Sequence, residues 1–259
     1  MNNRTPAATL RTALVTGGAK RVGKAITLAL AQAGYAVAVH VNASGTEGDA
    51  LCGEIRSKGG RAAVVEGDLT DHAQVLKLVP AAVAALGPLT LLVNNASMFQ
   101  PDDIRTLSGE LFERHMAVHL RAPLFLAQAF AAQAPDGADA SIVNIVDQRV
   151  MKPTPLFLSY ALSKNGLYAA TTMLAQALAP KVRVNAIAPG PTLPSSRQTP
   201  QEFARQTAKL PLGHGANPQQ IAQAVLFLAS AVSITGQTIA VDGGQRLAWQ
   251  TPDIADIRE

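Results

Sequence analysis

Residues 16–23 read TGGAKRVG, and the stretch stands between two different kinds of neighbour. Before it comes a short apolar run, Ala13–Thr16, that reads as a strand; after it, residues 22–33 carry apolar side chains at helical spacing. Gly17 and Gly18 permit a tight turn and close backbone approach, and the helix start beyond them offers unpaired N–H groups to a phosphate. A glycine-rich loop alone is a weak signal. Joining the first strand to the first helix, it is a strong signal for a dinucleotide site, with a plain structural turn as the alternative. Lys20 and Arg21 add two cations, the guanidinium being the better partner for a pyrophosphate. The alternative for Lys20 is a solvated side chain at the helix start.

Outward from this loop, short apolar runs alternate with longer helical ones. Strands are expected at 13–16, 36–41, 62–65, 89–94, 141–147, 182–188 and 238–241. Helices are expected at 22–33, 47–58, 72–86, 112–133, 157–179 and 219–230, with a short patch at 201–209. Thr70 is the expected N-cap of the third. The pattern is that of an α/β chain: one doubly wound (Rossmann) domain over 1–259, a seven-stranded parallel sheet with helices on both faces. The proline-rich, polar segment around 191–218 is long enough to be a substrate loop rather than a plain connection.

Bulk properties exclude several classes. The 259 residues are 48% apolar and 15% charged, which suits a buried core. No apolar run reaches the length of a membrane span, and the N-terminus lacks a signal peptide's apolar stretch, so a cytoplasmic location is expected. The single cysteine, Cys52, permits no disulfide framework, and no metal site is expected. A net charge of +4 without basic–aromatic clusters argues against nucleic acid and fits a phosphorylated cofactor.

The second strand ends in VHVNASGTEG (residues 39–48) with no acid at its tip to accept from a ribose 2′-hydroxyl. His40, Asn42 and Ser44 offer donors to a 2′-phosphate, with Lys20 close by, and the expected cofactor is NADPH. EGDLTD places Asp68 to accept from an adenine amino group, with Leu69 and Val22 alongside the cofactor. LLVNNAS places Asn94, Asn95 and Ala96 against it. For these strand-end residues, ordinary turn chemistry is the alternative.

ASIVNIVDQRV (140–150) reads as a buried strand that ends on a carboxylate, Asp147, which is costly unless paired or protonated. Thirteen residues on, SYALSK places Tyr160 and Lys164 one helical turn apart on a single face. A phenol ionises near pH 10, and a nearby ammonium shifts that towards the working range.

TGGAKRVG, GDLTD, NNAS, SYALSK and NAIAPGPT occur in the order and spacing of the short-chain dehydrogenase/reductase family, which the chain resembles over nearly its whole length. ITGQTIAVDGG is similar to that family's last strand. The resemblance implies Tyr160 as proton donor and Lys164 as the residue that binds the nicotinamide ribose and lowers the tyrosine pKa. It implies Pro189, Gly190 and Thr192 as the nicotinamide-side loop. It also places His119 where most members have an asparagine that holds a relay water. Three departures, Asp147 for serine, Arg21 for glycine and NNAS followed by Met98 and Phe99, resemble the pteridine reductase and dihydromonapterin reductase branch. By that resemblance Arg21 and Ser97 contact both cofactor and pterin, and Phe99 stacks on the bicyclic ring.

Reducing C=N requires hydride at carbon and a proton at nitrogen, which a carboxyl group near Tyr160 can relay. The alternative for Asp147 is neutralisation by Arg149 or Arg21; for Phe99, core packing; for His119, a core histidine. The leading expectation is an NADPH-dependent reductase of a dihydropterin or related pteridine. A ketone or 3-oxoacyl-thioester reductase is the alternative within enzymes, and a cofactor sensor without turnover the alternative outside them. Such sensors typically lose the tyrosine or lysine, and both are present. Homotetramers are common in the family, and the resemblance implies a homotetramer here. Trp249, in the C-terminal tail, is expected near a subunit boundary or the site mouth.

Overall fold

The computed structural model describes residues 11–43 and 45–249. Seven strands form one parallel sheet: β1 Thr12–Val15, β2 Ala36–Val41, β3 Ala62–Glu66, β4 Leu91–Asn94, β5 Ala140–Ile145, β6 Val182–Pro189 and β7 Thr238–Val241. Their order is β3-β2-β1-β4-β5-β6-β7. The chain reverses direction across the sheet between β1 and β4, and a crevice opens there at the strand C-termini.

The helices cover both faces, so the central strands are buried on each side and read as unbroken apolar runs. Alternate residues point to opposite faces. Ala13 and Val15 pack with Ile26 and Leu30 of α1 (Arg21–Gln32) and Ile221 and Val225 of α8 (Pro218–Ser230). Leu14, between them, packs with Leu78 of α3 (His72–Leu86) and with Leu126 and Phe130 of α5 (Ala122–Gln133). Helix α2 (Gly45–Ser57) flanks β2 and β3, and α6 (Leu158–Leu178) lies along β6.

Three differences from the sequence expectations bear on the site. The helix expected at 112–133 begins earlier, as α4 (Gly109–Met116), and passes into α5 through a π-helical turn at Ala117–Arg121. Pro123 explains the turn: it has no N–H to donate to the His119 carbonyl, and its ring crowds that carbonyl. The fifth strand stops at Ile145, and Asp147 instead caps a short 3₁₀ turn, Gln148–Val150. Asp71, not Thr70, caps α3, its carboxylate accepting from Ala73 N and Gln74 N. In the segment at 191–218, α7 (Pro200–Ala208) starts at a capping box between Thr199 and Glu202.

The glycine loop is a cradle. Gly17 sits at φ +60°. A Cβ on Gly23 would lie 2.1 Å from the Gly17 carbonyl oxygen and 2.6 Å from Asn95 Nδ2, so no side chain fits. Asn95 Nδ2 donates to Thr16 O at 2.9 Å and fixes the loop from across the switch point.

Candidate active site

A cavity of about 970 Å³ opens along the C-terminal edge of β1, β4, β5 and β6. Gly17, Lys20, Arg21 and Val22 line one end with Asn42, Asp68 and Leu69. Asn95, Ala96 and Ser97 form its middle, opposite Pro189, Gly190 and Thr192. Asp147, Tyr160, Lys164 and Phe99 close the far end. Ser44 lies outside the described residues.

Several expected roles are revised. His40 lines the cavity, but Gly17 N donates to its Nδ1 at 3.0 Å and its Nε2 donates to Gly67 O at 2.9 Å. Both nitrogens are committed, so His40 braces the glycine loop and is no donor to a 2′-phosphate. Asn94 turns into the core and donates to Asn144. Lys20 pairs with Glu47 at 2.7 Å, so an acid does stand at this end, supplied by α2 rather than by the strand tip. Arg21, at φ +49°, reaches across the cavity and donates to Pro194 O at 3.0 Å, tying the phosphate loop to the start of the substrate segment. Thr192 donates to Gly190 O, and Asp68 accepts from Thr70 N. Trp249 is exposed.

The far end brings the candidate catalytic side chains together. The Tyr160 hydroxyl donates to Asp147 Oδ2 at 2.9 Å. The same carboxylate accepts from Arg149 N at 2.8 Å and pairs with the Arg149 guanidinium at 3.1 Å. Asp147 is therefore both ion-paired and turned towards Tyr160, because its partner comes from the turn it caps. Burial, then the Asp147 charge and hydrogen bond, push the phenol well above 10; Arg149 and the Ser97 hydroxyl act in the opposite direction. The expected lowering of Tyr160 by Lys164 is not what this arrangement produces. Lys164 Nζ donates to Ile145 O at 2.7 Å and stands 5.9 Å from the Tyr160 ring centroid, while a carboxylate touches the phenol.

Lys164 is itself perturbed, burial drawing it from 10.5 to about 8 against the attraction of Asp147. The folded protein thus holds this proton less tightly than the unfolded chain. Stability rises with pH between about 8 and the unfolded lysine value, and below pH 8 the charged amine weakens the fold by about 3 kcal/mol. Lys164→Met is expected to stabilise the cofactor-free protein near neutral pH by about 1–3 kcal/mol, the lost bond to Ile145 O offsetting part of the gain. Denaturant unfolding at neutral pH and above pH 10 checks this: the gain should shrink at the higher pH.

His119 sits in the π turn, buried, with both ring nitrogens engaged. Met98 N donates to Nε2 at 3.1 Å, which leaves the proton on Nδ1, facing Ser163 Oγ at 2.9 Å. Ser163 in turn donates to Tyr160 O, and Ser97 Oγ lies 3.1 Å from Nε2. Burial first, then nearby Lys164 and His115, hold the imidazole well below 6.5 and neutral. No nitrogen is left for a relay water. His119 positions Ser97 and Met98 beside Tyr160, which corrects its expected catalytic role.

Three contributors were not read from the sequence as site residues. Phe157, at φ +58°, precedes α6 and stacks on Phe99 with centroids 4.2 Å apart and planes at 8°. Its backbone is held by Asp102, whose carbonyl accepts from Phe157 N and whose carboxylate accepts from Ser159 N and Oγ. Arg197 lies over both rings, 5.2 Å from Phe99 and 5.5 Å from Phe157. Arg149 was read only as a rival partner for Asp147; it too lies near both rings, at 5.4 and 5.5 Å. Phe99 therefore packs on Phe157 and stands edge-on to Tyr160 at 4.8 Å.

A family model described as enoyl-(acyl carrier protein) reductase matches residues 17–246. The chain belongs to the short-chain dehydrogenase/reductase family. Among solved members, FolM alternative dihydrofolate reductase 1 from Brucella canis, complexed with NADP, is 52% identical with a TM-score of 0.91, covering 94% of this chain and 97% of that one. A blue fluorescent protein from a metagenomic library, in complex with NADPH, is 34% identical with a TM-score of 0.84, covering 90% and 97%. The 3-oxoacyl-[acyl-carrier-protein] reductase FabG of Thermotoga maritima is 33% identical over 89% of this chain and 96% of its own length. Within this family the chain is an oxidoreductase.

Proposed function

We propose that the protein is an NADPH-dependent reductase of a dihydropterin or related pteridine. The observation that carries this reading is the Tyr160 hydroxyl on Asp147 Oδ2 at 2.9 Å. The likeness to the Brucella alternative dihydrofolate reductase supports it. The glycine loop packed tightly at the start of α1, the cations of Lys20 and Arg21 and a cavity of about 970 Å³ fit a dinucleotide phosphate, which supplies the hydride when bound. The rest is done by this chain's side chains. Tyr160 carries the proton destined for the ring nitrogen, and Asp147 holds that proton in place and accepts its replacement from solvent. Ser97, anchored by His119, steadies the phenol, and Phe99 with Phe157 offers aromatic surface beside it.

The rival is 3-oxoacyl-thioester reduction, favoured by the FabG relative. Taken alone, a carboxylate charge beside a forming alkoxide costs about 4 kcal/mol at 4 Å and an effective dielectric near 20; the Arg149 ion pair offsets part of this, and the remainder disfavours the alkoxide. Oxidation of NADPH followed with dihydrobiopterin and with an acetoacetyl thioester separates the two. Turnover of the pteridine is expected; turnover of the thioester alone overturns the proposal.

A further inference from the structure

The outer wall of the cavity carries charge that the reduction does not use. Its lining acids are Asp68, which accepts from Thr70 N, and Asp147, which is paired with Arg149. Against them stand Lys20 and Arg21 at the phosphate loop, Lys164 beneath Tyr160, and Arg114, Arg149 and Arg197. Arg149 has its carboxylate and Arg114 lies near Glu110. Arg197 makes no ion pair and no side-chain hydrogen bond among the described residues; its guanidinium rests over the Phe99–Phe157 stack.

The segment that carries this exposed guanidinium is tied down. Arg21 fixes the start of its segment through Pro194 O, Ser195 N donates to Gln198 Oε1, and Gln198 Nε2 donates to Gln206 Oε1 at 2.8 Å. At 5.2 and 5.5 Å from two ring centroids that are themselves 4.2 Å apart, the guanidinium lies beside the stacked pair, and its N–H groups match a carboxylate with two parallel hydrogen bonds. A ring seated beside Tyr160 therefore has, outward along the aromatic pair, a cation that pairs with no anion among the described residues.

We infer that Arg197 is a specificity-determining residue: it reads a carboxylate carried on the substrate outside the ring that is reduced. The substrate class is then an anionic, tailed pteridine rather than a neutral one. This rests on the pteridine reading above. Arg149, flanking the same rings, is neutralised and does not compete for the tail.

The test compares kcat/KM for dihydrofolate, whose tail is anionic, with that for dihydrobiopterin, whose side chain is neutral. Arg197→Gln is expected to lower the ratio of the two about ten-fold, and Arg197→Glu to lower it further. Raising the salt concentration should lower the ratio for the wild type and leave the Arg197→Gln ratio unmoved, because a partly exposed ion pair is screened. Arg197→Lys, keeping the charge without the fork, should fall between. If Arg197→Gln weakens both substrates equally, the residue only packs the loop and the inference is wrong. If the wild type turns over neither pteridine, the reading beneath it falls, and the inference with it.

Discussion

Tyr160→Phe is expected to lower kcat for reduction by about 10²–10⁴-fold, the usual contribution of a positioned general acid, while NADPH affinity changes by no more than a few fold. The substitution keeps the ring, and with it the edge contacts to Phe99 at 4.8 Å and His119 at 5.2 Å. What it removes is the hydroxyl proton that Tyr160 places on the Asp147 carboxylate. The phenol's pKa is raised well above 10 by burial and by Asp147, so the acid form persists through the neutral and mildly alkaline range. An acid with that pKa is loaded at working pH, which suits the reductive direction. Oxidation of the reduced product by NADP, which needs the phenolate, should be slow near neutrality and quicken as pH rises. Steady-state rates in both directions, with NADPH binding followed by its fluorescence, check the prediction. A Tyr160→Phe variant within about three-fold of wild-type kcat would remove Tyr160 from the proton path.

The architecture was legible because its signals are periodic. Mostly apolar strand runs of four to seven residues and amphipathic helices gave all seven strands and their order along the chain, and the loop at 16–23 located the crevice. The errors arose where a side chain overrides local pattern. Asp147 was placed on a strand because it follows five strand-like residues; its affinity for the Arg149 N–H ends the strand and starts a turn. Pro123 puts a π turn into a helix whose apolar spacing alone reads as continuous. In the site, residue types at strand ends were readable, but hydrogen-bond commitments were not. His40 and His119 each present two nitrogens in the sequence, and only the fold shows both nitrogens engaged. Phe157 and Arg197 carried no signal, because their meeting with Phe99 joins three segments far apart in the chain. A hint did exist for Arg149, two residues beyond an acid that needed a partner.

Asp147→Asn and Asp147→Ser should separate nitrogen from carbonyl chemistry. Asparagine keeps the size of the side chain and removes its charge. It also strands the Arg149 guanidinium, whose ion pair at 3.1 Å is largely sheltered from water. With the carboxylate gone, the largest influence on Tyr160 after burial disappears, and its pKa should fall. The phenol becomes intrinsically a stronger acid, yet it loses the group that aligns its proton and replaces it. If alignment and replacement dominate, pteridine kcat/KM falls by about 10²-fold although the acid is stronger. If acid strength dominates, it rises. The reading proposed for this site requires the fall. For a ketone the same change acts the other way. The forming alkoxide no longer faces an anion, a relief of up to about 4 kcal/mol at contact distance in a medium of dielectric near 20 before the Arg149 pairing is counted, and serine adds a hydroxyl donor. Asp147→Ser should therefore gain at least about ten-fold on an activated ketone while losing the pteridine, an inversion that simple damage to the site does not produce. A parallel loss on both substrates, with NADPH binding intact, would mean that Asp147 serves only to hold the turn at 148–150, and that the proton reaches the substrate nitrogen by another route.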